Sequence, residues 1–243
     1  MRIIAHRGAS AYAPENTLEA FRLAIAMGSK DFEFDIHRTK DGVLVVNHNY
    51  YVIDSLEKKR HIAKLYFADL RKIDVAHYFI GADFHCVPSV DEVLEEIGGK
   101  AELLNFEIKN DGNIYPGIEE QLLKAIRSHG LFKKALISSF DYGTLARMRS
   151  ASPDIAIGLL VRPLGSLMVA HSLKKAEALK AENLHISYKN ASSKNISMIR
   201  EAGLRCFVYT VNDRKTAERI KSAGADGIFS NFPDIMGNWE LKP

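Results

Sequence analysis

The sequence is poor in cysteine, with only Cys86 and Cys206 among its 243 residues. The two cysteines lie far apart, in apolar or strand-like segments, so a dense disulfide framework of the kind found in small secreted proteins is excluded. They could still pair with each other, but buried reduced thiols are the favoured interpretation. Reduced thiols favour the cytoplasm as the location of the protein.

The chain also lacks a long hydrophobic run. No stretch is long enough to span a bilayer, and Met1 opens directly onto the strand-like segment MRIIAH, without the charged and apolar regions of a signal peptide. We therefore expect a soluble, non-secreted protein with no stable membrane insertion. The formal net charge is only +3, so nothing in the composition calls for nucleic acid or an anionic membrane as a partner.

What the sequence does have is a regular alternation of short strand-like and longer helix-like segments. This alternation gives about eight βα units with no composition shift that would mark a linker. It predicts a (β/α)8 TIM barrel that folds as a single domain over residues 1–243. A doubly wound open sheet is the competing architecture, but no glycine-rich dinucleotide fingerprint follows the first strand. Strands are predicted at RIIAH, FEFDI with VLVVNH, LLNFEIK, ALISS, IAIGLL, NLHIS, RCFVYT and DGIFS.

Several predicted helices carry signals at their ends. Asn16 followed by Glu19 resembles a capping box, which predicts that Asn16 caps the first helix. Four glycines follow helical segments where a left-handed residue is expected: Gly28, Gly130, Gly203 and Gly224.

Residues 50–88 interrupt the alternation. This segment is long, contains only one modest helical pattern, near FADLRKIDVA, and holds three of the nine histidines: His61, His77 and His85. We interpret it as an insertion on the barrel rim and its histidines as solvated. Because long excursions of this kind are often functional, we expect the insertion to shape a substrate pocket.

The segment DFEFDIHRTK, residues 31–40, raises the question of function. Apolar residues alternate with ionisable ones, and side chains on a strand point alternately to opposite faces. Three ionisable side chains therefore share one face of this strand: Glu33, Asp35 and His37.

Other ionisable side chains fall at the same level of the predicted barrel. Active sites of TIM barrels form at the carboxyl ends of the strands. The predicted strand ends bring together three carboxylates, two histidines and two cations: Glu33, Asp35, Glu107, His6, His48, Arg7 and Lys109. Such a concentration of charge is not expected where a packed barrel interior begins.

Three carboxylates in one place repel one another unless a cation compensates their charge. A ligand set made only of oxygens, from Glu33, Asp35 and Glu107, suits a hard ion such as Mg²⁺ or Ca²⁺ better than Zn²⁺, which prefers His and Cys. The alternative interpretation is that these are polar residues on a solvated strand face.

His6 and His48 are candidates for proton transfer because an unperturbed imidazole titrates near neutral pH. Arg7 and Lys109 would neutralise the acids, and the planar guanidinium of arginine also matches two phosphate oxygens at once. Gly8 would allow the backbone to approach closely at the turn after the first strand.

The remaining histidines are weaker candidates. His37 shares the face of the carboxylates but lies further along, so we expect it at the rim or behind the site. His185 lies at another strand end and could line the pocket. His129 and His171 fall in predicted helices.

Taken together, these segments strongly resemble the glycerophosphodiester phosphodiesterase family. The family hallmark is HRG, then E-x-D, then HD, and the corresponding residues here are His6-Arg7-Gly8, Glu33-Phe34-Asp35 and His48-Asn49. The likeness continues through VPSVDEVLEEI, LNFEIK and VYTVNDRKTAERIKSAGADGIFSNFPD. It covers nearly the whole chain, and the insertion is the part that matches least.

The resemblance implies a TIM-barrel hydrolase that uses one divalent cation, Mg²⁺ or Ca²⁺ with Mn²⁺ as a further option, to cleave glycerophosphodiesters into glycerol 3-phosphate and an alcohol. By position, Glu33, Asp35 and Glu107 match the metal ligands of the family. In lipid and glycerol metabolism the substrate would be a small-molecule glycerophosphodiester.

The resemblance also assigns the remaining site residues. His6 and His48 match the catalytic pair, and Arg7 and Lys109 match the phosphate-binding cations. The family mechanism has the glycerol hydroxyl of the substrate attack phosphorus. One histidine removes the hydroxyl proton, the other protonates the leaving alkoxide, and water then opens the cyclic phosphate.

Four details depart from the family pattern. Asn49 stands where the family has aspartate, and His37-Arg38 precede the TKDG element in place of small polar or aliphatic residues. Tyr209 occupies the place of a frequent tryptophan, and FSNFP replaces the usual Thr-Asp/Asn-x-Pro. None of them removes a predicted metal ligand or catalytic imidazole, so activity is expected and the departures bear on substrate preference.

Two alternatives stay open. The substrate could be a lysophospholipid or another lipid diester, which a wide apolar groove near residues 50–88 would favour. The protein could instead be a non-catalytic barrel that binds phosphate, although simple phosphate capture does not need two histidines.

Overall fold

The computed structural model of the chain describes residues 1–79, 81–163 and 165–237. In chain order its strands and helices are β1 (Arg2–His6), α1 (Leu18–Ala26), β2 (Asp31–Arg38), β3 (Leu44–Val46), β4 (Tyr51–Ile53), β5 (Lys59–His61), α2 (Phe67–Leu70), α3 (Val90–Ile97), β6 (Leu103–Ile108), α4 (Ile118–Ser128), β7 (Ala135–Ser139), α5 (Tyr142–Ala151), β8 (Ala156–Val161), α6 (Ser166–Ala178), β9 (Asn183–Ser187), α7 (Ser193–Glu201), β10 (Arg205–Tyr209), α8 (Arg214–Ser222) and β11 (Gly227–Ser230).

Eight parallel strands form a closed barrel. Their order is β1-β11-β10-β9-β8-β7-β6-β2, and the pairing of β1 with β2 closes the sheet. The TIM barrel is therefore confirmed, and every predicted strand segment is a strand. Within the part of the chain that the structure describes, seven helices, α1 and α3 to α8, accompany the eight strands.

The alternation in β2 sorts its side chains between two buried environments. Phe32, Phe34 and Ile36 point outward into the core between the sheet and the helices, and each is fully buried. The ionisable residues of the same strand point into the barrel. Large apolar side chains fill the barrel interior below them: Ile4, Leu136, Phe207 and Phe229.

The insertion sits at the rim of the barrel, as predicted. After β3, which pairs antiparallel with β2, the chain forms the β4–β5 hairpin and the short helix α2. A small separate core holds this region together: Val45, Val52, Ile62, Leu70 and Val87. The three histidines of the insertion lie at least partly in solvent.

The helix-end predictions were right for the glycines and wrong for Asn16. All four glycines have positive φ angles, between 69° and 89°. Helix α1 is capped by Thr17, whose Oγ1 accepts a hydrogen bond of 3.2 Å from the Ala20 N–H. Asn16 lies one residue too early, with φ of 60°, and its side chain points to Asp35 instead.

Both cysteines carry free thiols, and Cys206 is buried. Within the described residues, no helix combines the length and the apolar composition that crossing a bilayer requires.

Gly8 lies where the chain leaves β1 and turns toward α1. Its φ is 83°, and a Cβ atom at this position would stand 2.6 Å from the carbonyl carbon of Ala20. Only glycine therefore fits here without displacing the backbone of α1. The expectation of a close backbone approach at Gly8 is confirmed, and this approach holds the loop that carries Arg7 against helix α1.

We predict that Gly8→Ala lowers the free energy of unfolding by about 2–5 kcal/mol, since backbone strain adds to overpacking. Gly42→Ala is the matched control, because Gly42 also has a positive φ, 87°, but a Cβ there would meet nothing within 4 Å. The control should cost only about 1 kcal/mol. Urea unfolding of both variants measures the difference, and equal losses would contradict the packing argument.

Candidate active site

Strand pairing brings the predicted site residues together at the carboxyl ends of the barrel strands. His6 at the end of β1 pairs in register with Glu33 on β2, and Asp35 pairs with Glu107 on β6. His48 follows β3, in a loop held to β2 by a 3.1 Å hydrogen bond from the Asn47 N–H to the Asp35 carbonyl. Residues as far apart in sequence as His6 and Lys109 thus meet in one place.

The three carboxylates form a tight buried cluster. One oxygen from each of Glu33, Asp35 and Glu107 lies within 4.8 Å of the others, and no side chain of the three is more than 10% exposed. Burial and the neighbouring charges of Asp35 and Glu107 raise the pKa of Glu33 well above its usual range. Burial also raises the pKa of Glu107, although Lys109 opposes this effect. The cluster is therefore short of positive charge.

Two cations supply part of that charge, and both concentrate on Asp35. The Nε of Arg7 lies 3.1 Å from Asp35 Oδ2, and the Nζ of Lys109 lies 3.0 Å from Asp35 Oδ1 and also contacts Glu107. Asn16 donates a further hydrogen bond of 2.9 Å to Asp35 Oδ2. Although burial opposes ionisation, Lys109 and Arg7 hold the pKa of Asp35 well below its usual range.

The negative charge of Glu33 is compensated by fewer neighbouring groups than that of Asp35. Its Oε2 accepts a hydrogen bond of 3.1 Å from the Arg7 backbone N–H, but its buried Oε1 has no hydrogen-bond partner among the described residues. A buried carboxylate oxygen left without a partner is costly. Three carboxylates with such an orphan oxygen fit a hard divalent cation such as Mg²⁺, Ca²⁺ or Mn²⁺.

His6 is largely but not fully buried, with 13% of its side chain exposed, and it bridges two groups. Its Nδ1 lies 2.6 Å from the Oδ1 of Asn231, and its Nε2 lies 3.8 Å from Glu33 Oε2. Burial and the positive charge of Arg7 lower the pKa of His6 to about 3. His6 is therefore a neutral imidazole that faces the carboxylate cluster.

His48 is more accessible, with 37% of its side chain exposed. Its Nδ1 lies 3.9 Å from Oε1 of Glu15, whose Oε2 accepts a 2.8 Å hydrogen bond from Arg7. Asn49, which follows His48, is exposed, and its backbone oxygen accepts a hydrogen bond from Asn47. The carboxylate near His48 therefore comes from Glu15 and not from the position after the histidine.

These groups open onto a cavity of about 230 Å³. Six of the seven predicted site residues line it, and Asp35 is fully buried behind them. One wall is apolar and consists of Phe140, Leu160, Tyr209 and Phe229. None of the described residues of the insertion lines this cavity, but the insertion residue Tyr78 lies near Glu15 and Arg7, so a role of the insertion in shaping a substrate pocket stays a prediction.

The insertion also supports the site from behind. Its first residue, Tyr50, packs on His37 of β2, and His37 contacts the loop that carries His48. His37 is completely buried; its Nδ1 lies 3.0 Å from the Tyr115 hydroxyl and its Nε2 lies 3.4 Å from the His48 carbonyl oxygen. The ring of Tyr50 packs edge-to-face on His37, with 5.0 Å between the centroids. Of the two predicted positions for His37, the structure therefore shows the one behind the site and not the one at the exposed rim.

His185 does not line the cavity. It points into the barrel interior, where it stacks against Phe207 and lies 5.1 Å from the ring centre of Phe229. Neither ring nitrogen has a hydrogen-bond partner among the described residues, and burial lowers the pKa of His185 to about 3. The sequence prediction erred because His185 lies in the middle of β9 and not at its carboxyl end.

Sequence reasoning missed several residues that contact the predicted ones. Glu15 and Asn16 contact Arg7, His48 and Asp35, and Asn231 contacts His6. The segment PEN, which contains Glu15 and Asn16, was a visible cluster of polar residues just before a helix. Nothing in the local sequence around Asn231 indicated its contact with a residue 225 positions away.

A closed parallel barrel with acids, cations and histidines at the carboxyl ends of its strands defines a TIM-barrel enzyme. The profile of the glycerophosphoryl diester phosphodiesterase family matches residues 6–235. The chain is 35% identical over 242 residues to a glycerophosphodiester phosphodiesterase of Caldanaerobacter subterraneus, covering 99% of this chain and 98% of the relative. It is 31% identical to one of Bacillus altitudinis, covering 96% and 95%.

Among solved structures, a phosphodiesterase of Oleispira antarctica in complex with the product sn-glycerol-3-phosphate superposes with a TM-score of 0.86. That protein is 29% identical, and the match covers 96% of this chain and 94% of the other. The chain therefore belongs to the glycerophosphoryl diester phosphodiesterase family, and it is a phosphoric diester hydrolase.

We predict that His185→Leu makes the protein less sensitive to acid. An unfolded histidine binds a proton below about pH 6.5, whereas folded His185 stays neutral down to about pH 3. The unfolded state therefore binds more protons in this window, so stability is lost as the pH falls through it. Urea unfolding should show that the wild type loses about 2–3 kcal/mol more than the variant between about pH 7.5 and pH 4.5.

His171→Leu is the control, because it also replaces a histidine by leucine but does so at an exposed position of α6. This control should keep the acid sensitivity of the wild type. If His185→Leu and His171→Leu lost stability in parallel on acidification, the neutral state of His185 would be wrong.

Proposed function

We propose that this protein hydrolyses glycerophosphodiesters to glycerol 3-phosphate and an alcohol, with one bound divalent cation and two histidines. The observation that carries the proposal is the meeting of a buried carboxylate cluster, two cations and two imidazoles in one small cavity. The similarity to the Oleispira antarctica structure, which contains sn-glycerol-3-phosphate, supports the choice of substrate.

The cation would be held by Glu33, Asp35 and Glu107. Mg²⁺ and Ca²⁺ are the leading candidates, and Mn²⁺ is a further one, because all three accept oxygen ligands. When bound, the ion supplies positive charge that offsets charge growing on the phosphoryl oxygens and lowers the pKa of a coordinated hydroxyl.

Arg7 and Lys109 are proposed to bind the phosphodiester. Both line the cavity, and their attraction to the carboxylates raises the pKa of each far above any working pH, so both remain charged. The Arg7 guanidinium is fixed by Glu15 and Asp35, which leaves its orientation set before a substrate arrives. Fixed cations of this kind stabilise charge on the phosphoryl oxygens without reorganisation.

His6 and His48 are proposed to move the protons. The attacking hydroxyl of the glycerol unit loses its proton to one imidazole, and the bond from phosphorus to the departing alcohol breaks as the other imidazole protonates that oxygen. Water then opens the cyclic phosphate, with the two histidines exchanging roles. Proton transfer by a positioned imidazole contributes about 10²–10⁴-fold to the rate.

The cavity favours a small substrate over a lipid diester. Its volume of about 230 Å³ is below the roughly 300–1,000 Å³ of sites that enclose larger ligands. None of the described residues of the insertion adds an apolar groove to it. The non-catalytic alternative leaves the paired histidines without a purpose, since phosphate capture needs only cations.

We also propose that the barrel and its insertion act as one domain and that the enzyme works in the cytoplasm. The two free thiols support a reducing compartment.

An assay of glycerophosphocholine, glycerophosphoethanolamine, glycerophosphoglycerol and a lysophospholipid, each with Mg²⁺, Ca²⁺ or Mn²⁺, tests the function. We expect turnover of at least one water-soluble diester, release of glycerol 3-phosphate and loss of activity in EDTA. His48→Ala should lower turnover at least about 10²-fold because proton transfer is lost.

Three results would count against the proposal. Turnover of the lysophospholipid alone would favour the lipid-diester alternative. Binding of glycerol 3-phosphate without turnover of any diester would favour the non-catalytic barrel. Full activity in EDTA would refute the role of the cation.

The ion site itself is tested by Glu33→Gln. Thermal unfolding of the wild type should shift upward with Mg²⁺ or Ca²⁺, by about 2.7 kcal/mol of stability at an ion concentration of 100 times Kd. In the variant the shift should disappear, because a neutral amide replaces a ligand. In EDTA the variant should be at least as stable as the wild type, because the substitution removes one of three repelling carboxylates.

Asp31→Asn is the matched control, since Asp31 lies on the same strand but pairs with Arg2 at the opposite end of the barrel. The control should keep the ion-induced shift. An ion-induced shift that survives in Glu33→Gln would place the cation elsewhere.

A further inference from the structure

Arg162 stands at the mouth of the cavity, directly after strand β8. Side chains on a strand alternate between its two faces. Leu160 of β8 lines the cavity, and Val161 is buried in the core between the sheet and the helices. The next residue, Arg162, therefore falls on the inward side, just beyond the cavity wall, and its side chain is exposed.

Contacts with the apolar wall of the cavity agree with this position. The guanidinium carbon of Arg162 lies 5.1 Å from the ring centre of Phe140, and Phe140 packs edge-to-face on Tyr209 with 5.9 Å between the centroids. The Tyr209 hydroxyl donates a 2.5 Å hydrogen bond to the Val161 carbonyl oxygen, which ties the backbone before Arg162 to the same wall. Burial raises the pKa of Tyr209, and the positive charge of Arg162 opposes that rise. The apolar wall thus ends in a positive charge.

The charge of Arg162 is available to a bound molecule, in contrast to the two cations deeper in the cavity. Arg7 and Lys109 are both paired with Asp35. Arg162 forms neither an ion pair nor a hydrogen bond with any other described residue, and its contact is with the ring of Phe140. A guanidinium carries five N–H donors and no acceptor, so it attracts hydroxyl and anionic oxygens and repels an ammonium group.

The wall below Arg162 lies on the side of the cavity towards which the alcohol would depart. Strands β8 and β10, which carry Leu160 and Tyr209, lie across the closed barrel from β2 and its two carboxylates. In phosphoryl transfer the attacking and departing oxygens lie roughly in line, on opposite sides of phosphorus. A glycerol hydroxyl that attacks from the side of the carboxylate cluster therefore directs the departing alcohol towards this wall and Arg162.

We propose that Arg162 is a specificity-determining residue, which favours diesters whose departing alcohol carries hydroxyl or anionic oxygens and disfavours diesters whose alcohol carries an ammonium group. This inference rests on the proposed function and adds to it the chemical class of the alcohol.

The contact with Phe140 strengthens the discrimination against choline. An open aromatic ring attracts a quaternary ammonium group through the negative face of its π-system. Arg162 occupies this place on Phe140, so a choline group meets a cation there and not an open ring. Because exposed charges interact weakly, the preference should be modest, about twofold to fivefold for each charge that is changed.

Two substrates that differ only in the alcohol test the proposal: glycerophosphoglycerol, whose alcohol is an uncharged polyol, and glycerophosphocholine. We expect wild-type kcat/KM to be higher for glycerophosphoglycerol. Arg162→Gln should raise kcat/KM for glycerophosphocholine about twofold to fivefold and lower the value for glycerophosphoglycerol. Arg162→Glu should shift the ratio further in the same direction, because attraction to the ammonium group replaces repulsion. The shift should shrink in about 1 M NaCl, where the Debye length is about 3 Å.

Two further variants serve as controls. Arg162→Lys keeps the positive charge and should keep the wild-type order of the two substrates. Arg205→Gln makes the same substitution at an exposed arginine that begins β10, at the opposite end of the barrel. It should leave both values of kcat/KM unchanged.

The outcomes separate this proposal from the proposed function. In an active enzyme, an unchanged ratio in Arg162→Gln would overturn the role of Arg162, and so would a wild type that prefers glycerophosphocholine. An equal fall of both activities in Arg162→Gln and Arg162→Glu would overturn it as well, since Arg162 would then not choose between alcohols. If the wild type cleaved no diester at all, the proposed function itself would fail, and the role of Arg162 with it.

Discussion

The site depends on the electrostatic repulsion among three buried carboxylates. Glu33, Asp35 and Glu107 lie within one coordination sphere, and burial denies them the solvation that would tolerate three negative charges. Arg7 and Lys109 both form ion pairs with Asp35, whereas Oε1 of Glu33 has no hydrogen-bond partner among the described residues. The uneven distribution of charge makes the cluster costly by itself, and this remaining deficit of positive charge is the physical basis of the divalent cation site that we propose.

Barrel closure makes that repulsion unavoidable. The pairing of β2 with β6 sets Asp35 beside Glu107, and the pairing of β1 with β2 sets His6 beside Glu33, so the chain cannot close its sheet without assembling the cluster. The outward faces of the same strands bury apolar side chains against the helices, which supplies the stabilisation that offsets the cost. Stability and function are therefore divided between the two faces of each strand.

This division explains how far the sequence alone could reach. The alternation of strand-like and helix-like segments predicted the barrel, and the alternation of apolar and ionisable residues in β2 predicted that its carboxylates share one face. Both patterns could be recognised because they are local in sequence. Asn231 and Glu15 were missed, since their contacts to His6 and His48 join loops that only the closed barrel brings together. The error at His185 has a related cause: a strand segment shows which residues alternate, but not the depth in the barrel at which each one lies.

His6 and His185 show how differently two shielded imidazoles of one barrel can be placed. Burial lowers the pKa of both to about 3, so both are neutral. His185 lies among phenylalanine rings with no hydrogen-bond partner among the described residues, and nothing there selects one nitrogen over the other. His6 has an amide oxygen on one nitrogen and the carboxylate cluster on the opposite side. Neutrality alone therefore does not distinguish the two imidazoles. His6 borders the cavity and faces the carboxylate cluster, whereas His185 lies inside the packed barrel interior and contacts neither.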